Sequence, residues 1–198
     1  PTEPNWPYGV SKLAAEKYCK IYQDVYKIPI VSLRYGIVYG EREWLGRVLT
    51  MFIRRVILKN KPPVVFGGGG QLRDFIYVGD VVRLHTLCIE GNESGVFNVS
   101  TGKGTSIKNL AKLVIGLSGK RFPIIFEDLP EGKKSKFMPE RKRIPQELEK
   151  MVLSPKKAFK VFNWKSCVSL KGGIMREINW ICNNPKAWET IKKELITI

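Results

Sequence analysis

Short runs rich in valine, isoleucine and phenylalanine alternate with amphipathic stretches along most of this 198-residue chain. That alternation restricts the fold more than any other feature. Brief β-branched or aromatic runs between glycine and proline signals read as strands, and apolar residues at three- and four-residue steps read as helices. The strand candidates are "PIVSLRYGIVYG" (29–40), "PVVFG" (63–67), "RDFIYV" (73–78), "GVFNVS" (95–100) and "FPIIFED" (122–128). Helical patterns run from Tyr8 to about Lys27, where Pro29 stops the helix, and over 44–60. Further helices are expected from Gly79–Asp80 to about Glu90 with Asp80 as N-cap, and over 105–120 behind Thr105 or Ser106. Two more are expected from Pro155 behind Ser154 and from Leu170 to about Asn183, and "AWETIKKELITI" makes a last one. Residues 130–150 are charged and Pro/Gly-punctuated, which reads as a loop. Strands alternating with helices define an α/β fold with parallel strands.

The chain carries a formal net charge of +16. Residues 131–160 hold ten Lys/Arg against four Glu, yet aromatics are not interleaved with them as in a single-strand-binding platform. Most of the charge therefore reads as a solvated lysine-rich surface, and nucleic acid is not the expected partner. No apolar run is long enough to span a membrane. Cys19, Cys88, Cys167 and Cys182 form no CxxC pair, which argues against a zinc site or a disulfide framework and for a cytoplasmic location. The glycine run 67–70 precedes a strand, not a helix whose N-terminus holds a pyrophosphate, and neither a GxGxxG nor a P-loop occurs.

Tyr8 and Lys12 stand one helical turn apart, on one face. A nearby ammonium favours a phenolate, and such a tyrosine can take a hydroxyl proton while hydride leaves the same carbon. Spacing alone decides nothing: with seven Tyr and 23 Lys in the chain, chance predicts roughly 0.8 such pairs. Context carries the argument. "PTEPNWPYGVSK" (1–12), "VSLRYGIVYGERE" (31–43), "PPVVFGGGGQLRDFIYVGDVV" (62–82), "GVFNVSTGKGTSIKNLAKLV" (95–114) and "NWKSCVSLKGGIMREINW" (163–180) follow one another in order. Together they resemble the C-terminal portion of the extended short-chain dehydrogenase/reductase family, the nucleotide-sugar epimerases and dehydratases typified by UDP-glucose 4-epimerase.

The resemblance implies the C-terminal part of a Rossmann-type parallel sheet plus a small α/β substrate-binding domain. Residues 1–61 would end the dinucleotide-binding domain, and 62–198 would be mainly substrate domain, with about 73–90 returning to the Rossmann part. Tyr8 would be the general base or acid and Lys12 its partner on the cofactor ribose. Tyr35 and Gly36 would flank the nicotinamide of NAD. Val64 and Phe66 would line the nucleotide base, Arg73 would hold the substrate diphosphate, and Arg143, or else Arg141, would supply a second phosphate contact. Arg47 and Val48 would touch the sugar nucleotide. The implied activity is sugar 4-epimerisation or dehydration through a keto intermediate, with a homodimer or an N-terminal half-chain as partner. The glycine fingerprint and the Ser/Thr of the catalytic triad are not among these residues, so the chain alone is expected to be inactive.

Plainer readings accompany several of these residues. Arg73 can pair with Asp74 or Asp80, Phe66 can be core, and Arg141 and Arg143 can be solvated. His85 lies in a helical pattern and reads as a packed residue, and the five tryptophans read as core or interface. Three positions depart from the family pattern: Ile37 replaces an asparagine, Gly68 or Gly69 an acid, and Ser154 another acid. A degenerate, non-catalytic nucleotide-sugar-binding or interaction module is therefore the second reading.

Overall fold

In a computed structural model of the chain, residues 3–4, 6–139, 141–142 and 148–185 are described. Helix α1 (Pro7–Tyr26) starts with proline in its first turn and ends at Lys27, whose φ of 57° closes the helix before Pro29. Strands β1 (Val31–Tyr35) and β2 (Ile37–Tyr39) follow. Helix α2 (Val48–Ile53) runs into a π-helical turn at Arg54–Leu58. Then come β3 (Val64–Phe66), β4 (Leu72–Arg73), β5 (Phe75–Tyr77), α3 (Val78–Glu90) and β6 (Gly95–Val99). The chain continues through β7 (Thr105–Ser106), α4 (Ile107–Leu117), β8 (Ile125–Glu127), β9 (Lys150–Met151), α5 (Lys156–Phe162) and α6 (Leu170–Asn183).

Each of the three two-stranded sheets is a parallel pair: β1 with β6, β2 with β5, and β3 with β8. A small three-stranded sheet sets β4 between antiparallel β7 and parallel β9. The parallel pairs are the crossover pattern that the sequence alternation requires, and the α/β architecture is as expected.

Two main cores form. Ile76, Val81, Leu84, Phe97, Val99, Ala158 and fully buried Trp164 join β5, β6, α3 and α5, with Val31 and Leu33 of β1 against them. The larger core gathers Tyr39, Leu49, Phe52, Ile53, Val65, Leu110, Ala111, Val114, Ile174 and Ile178 from β2, α2, β3, α4 and α6.

Several expected details differ. The 44–60 helix begins only at Val48, because residues 44–47 turn through Gly46 with φ 156°, a value a side chain would disfavour. "RDFIYV" splits into β4 and β5 at Asp74, whose carboxylate accepts from Thr101 N, Thr101 Oγ1 and Gly102 N at 2.6–2.9 Å. Asp80 is not the α3 cap: Tyr77 occupies that position, and Asp80, in the first turn, accepts from the backbone N–H groups of Cys167 and Val168. Ser154 is not the α5 cap either; Pro155 is. Ser106 does cap α4, accepting from Asn109 N at 3.1 Å, and Ser169, for which no capping role is expected, caps α6 by accepting from Gly172 N at 3.1 Å. The expected terminal helix "AWETIKKELITI" lies outside the described residues.

Candidate active site

Tyr8 and Lys12 share one face of α1. The Lys12 ammonium sits 5.3 Å from the Tyr8 ring centroid, and Tyr8 is 58% exposed. The Trp6 ring also leans on Tyr8, ring centroids 5.2 Å apart. The pair is thus open to a ligand. No residue of α1 is buried. Its link to β1 is a forked ion pair in which Arg34 Nε and Nη2 donate to the two Glu16 oxygens at 2.8 and 2.6 Å. That pairing raises the Arg34 guanidinium above its ordinary range.

β1 delivers Tyr35 and Gly36 to its carboxyl end, the side of a parallel sheet where ligands gather. Gly36 has a structural reason to be glycine: an added Cβ would lie 2.7 Å from the Asp74 carbonyl oxygen. The Tyr35 ring stacks on His85, centroids 5.9 Å apart and planes 6° apart. His85 Nδ1 faces the Val81 carbonyl at 2.9 Å, an acceptor, so Nδ1 carries the proton and Nε2 accepts from the Tyr35 hydroxyl at 2.9 Å. His85 is therefore a bonded partner of Tyr35 rather than plain packing. Burial raises the Tyr35 phenol above its ordinary range. A groove of about 450 Å³ runs along β1 and α3, lined by Leu33, Tyr35, His85 and Cys88 among others; among the described sequence-derived site residues, Tyr35 alone reaches it.

The remaining candidates lie beside the larger core and its loops. Val64 is buried against Met51 and Met138, and Phe66 is partly buried beside them. Arg73 ends β4, and its Nη1 donates to the Leu72 carbonyl at 3.0 Å. Both oxygens of Asp74 are taken up by the 101–102 turn. Arg47 stands at the N-cap of α2, with its Nε 3.6 Å from Glu43 Oε1, and Val48 begins the helix. Arg141 donates to the Gly46 carbonyl, tying the 130s loop to the segment before α2. Arg143 lies outside the described residues. The glycine run is a turn: the Gly69 carbonyl (φ 68°) accepts from Lys108 N, and Gly67 N donates to the Glu127 carbonyl.

Sequence reasoning missed two buried carboxylates here. Glu127 accepts from Ser135 Oγ and Lys136 N, which pins a loop that reads as irregular. Glu177, 1% exposed, stands on the apolar stripe of α6 between Ile174 and Ile178 and faces Glu43. A charged residue inside an apolar stripe was the available signal.

The NAD-dependent epimerase/dehydratase family model matches residues 1–100. The chain belongs to that family. It is 36% identical over 187 residues to a putative UDP-glucose 4-epimerase of Methanocaldococcus jannaschii, covering 93% of this chain and 56% of that protein. It is 29% identical to the human dTDP-D-glucose 4,6-dehydratase, over 98% of this chain and 53% of that one. Among solved structures, the UDP-glucose 4-epimerase of Thermotoga maritima with UDP-glucose superposes with a TM-score of 0.81 at 28% identity, over 93% of this chain and 56% of that one. The chain spans about half the length of these relatives.

Proposed function

We propose that this chain supplies the proton-transfer and substrate-holding part of an NAD-dependent nucleotide-sugar 4-epimerase or dehydratase. The observation that carries the proposal is the solvent-open Tyr8–Lys12 pair on one helical face, within a chain of this family. Tyr8 takes the proton of a sugar hydroxyl as that carbon is oxidised to a ketone, and returns it when the ketone is reduced. Lys12 holds the phenol's charge and a cofactor ribose. NAD would supply the hydride acceptor, with Tyr35 and Gly36 beside its nicotinamide. The open pair and the strand end fit that half of the cofactor; the 198 residues hold no glycine fingerprint for its pyrophosphate. Arg73 grips the diphosphate, because a guanidinium fork matches phosphate oxygens. Val64, Phe66, Arg47 and Val48 shape the nucleotide end, and Arg143 or Arg141 adds a phosphate contact. The two-part division at residues 61–62, with about 73–90 returning to the Rossmann part, belongs to the same proposal.

Thermal titration tests it. UDP-glucose, dTDP-glucose or a GDP-sugar should raise the melting midpoint of the 198-residue chain without NAD, and Arg73→Ala should abolish the rise. No rise with any of them overturns substrate binding. In a protein completed with a glycine-fingerprint half, Tyr8→Phe should lower turnover about 10²–10⁴-fold. Retained turnover in that variant removes Tyr8 from the chemistry. The absence of any nucleotide-sugar response together with a specific protein partner would favour the non-catalytic module.

A further inference from the structure

Four carboxylates are buried among the described residues: Asp74, Asp80, Glu127 and Glu177. Three are held by donors. Asp74 accepts from Thr101 and Gly102, Asp80 from Arg83, Cys167 and Val168, and Glu127 from Ser135 and Lys136. Glu177 differs. Among the described residues, no N–H or hydroxyl donor reaches either of its oxygens. The group facing it is the carboxyl of Glu43, from the segment between β2 and α2. Two ionised carboxylates offer acceptors only, so a hydrogen bond between them needs a proton. A second negative charge at a buried site also costs more than keeping that proton. Arg47, permanently charged, stands 3.6 Å from Glu43 Oε1. The negative charge therefore rests on Glu43 and the proton on Glu177.

We propose that Glu177 and Glu43 share one proton, and that the resulting acid–carboxylate hydrogen bond fastens residues 40–47 to α6. Glu177 is thus a positioning residue for the segment that carries Arg47, and raising the pH loosens that segment. The surroundings reinforce this. Glu41 of the same segment accepts from Tyr77 Oη at 2.7 Å and adds negative charge. Arg176 lies over the Tyr77 ring on the exposed side, 5.2 Å from its centroid. Tyr39 of β2 donates to the Leu170 carbonyl, Asp80 of α3 is committed to the approach to α6, and the buried residues that α4 brings to this core, Ile107, Leu110, Ala111 and Val114, are all apolar. Burial is the main cause that pushes Glu43 up to about 7 and Glu177 to about 9, with their mutual repulsion adding to Glu177. The sign follows. The folded protein holds protons that the unfolded chain, with ordinary carboxyls, has already lost. The pair's stabilisation is complete at pH below the ordinary carboxyl range and is lost as pH rises toward about 9.

The test is the melting midpoint of the whole chain against pH, for wild type, Glu177→Gln and Glu43→Gln. The amide that Glu177→Gln introduces donates to Glu43 at every pH, so E177Q should lose most of the alkaline fall. That fall is expected to be on the order of 5 °C in the wild type between about pH 6 and about pH 9.5. Equal slopes in wild type and both variants overturn the proposal. If the variants fail to fold, the wild-type infrared spectrum decides: a protonated-carboxyl stretch should persist at neutral pH and vanish in alkali, and its absence at neutral pH overturns the shared proton. A second arm rests on the substrate reading above. UDP-glucose affinity should weaken severalfold over the same range in wild type and not in E177Q. A flattened E177Q melting profile without UDP-glucose binding at any pH leaves the shared proton standing and removes Arg47's ligand role.

Discussion

Along α6, Ile174, Ile178 and Ile181 are all buried, at 0%, 7% and 1% exposure, while along α1 Tyr18, Ile21, Tyr22 and Val25 are 51–65% exposed. Both helices have apolar residues at helical spacing, and both lie in segments that resemble the same family. They differ in what the described chain brings against them. α6 meets Tyr39, α2 and α4 in the larger core; α1 meets β1 through an ion pair at its rim. A hydrophobic stripe specifies which face of a helix wants cover, and the rest of the fold specifies whether cover is present. The difference has energetic consequences. Burial of a large aliphatic side chain is worth about 1.5–3 kcal/mol, so α6 contributes to stability through its packed face while α1 rests on its own helix propensity, its left-handed C-terminal turn at Lys27 and the Arg34–Glu16 ion pair.

The largest expected effect comes from emptying the α6 side of that comparison. Ile174→Ala removes a side chain with 0% exposure from the centre of the larger core. It should cost about 2–5 kcal/mol, seen as a lower denaturant midpoint with an unchanged m-value. A loss under about 1 kcal/mol would mean that α6 packs no better than α1, and the contrast would disappear.

Next in size is Gly173→Ala. In an open helix this change is favourable by up to about 1 kcal/mol. Here an added Cβ would lie 2.2 Å from Tyr39 Oη and 2.8 Å from its Cζ, and Tyr39 is itself buried. Overpacking should win, for a net loss of about 1–3 kcal/mol. The double variant Gly173→Ala/Tyr39→Phe removes the hydroxyl oxygen and should recover part of that loss. If it recovers nothing in thermal unfolding, the clash with Tyr39 is not the cause.

The same two helices show how much is readable without coordinates. Apolar periodicity places α6 from Leu170 to about Asn183, where the helix is found. The Tyr8–Lys12 face is equally legible, because i and i+4 on a helix coincide by geometry. What escapes is set at long range. Asp74 breaks one apparent strand into two because residues 101–102 donate to it, some 27 positions away. Asp80 looks like a local cap, yet its carboxylate secures backbone N–H groups 87 and 88 positions on. Glu127 orders the 130s loop through Ser135 and Lys136, although the loop's composition is that of an irregular segment. Glu43 and Glu177 are 134 positions apart by their numbers, and only the fold brings the two acids face to face.

The smallest effect belongs to α1. Ile21→Ser replaces an apolar side chain that is 55% exposed on a helix with no buried residue. In the 198-residue chain, its unfolding free energy should stay within about 0.5 kcal/mol of the wild type, with serine's poorer helix propensity accounting for most of any loss. Hydrogen exchange should agree: amides of α1 should exchange faster than those around Ile174 and Ile178. The same substitution then reports on cover. Where a second copy or additional polypeptide is laid on this face, Ile21 becomes a buried contact, and its loss should rise to about 1–3 kcal/mol. A large cost in the 198-residue chain at low concentration would show that α1 is already packed, and that its apolar stripe and the stripe of α6 are stabilised alike.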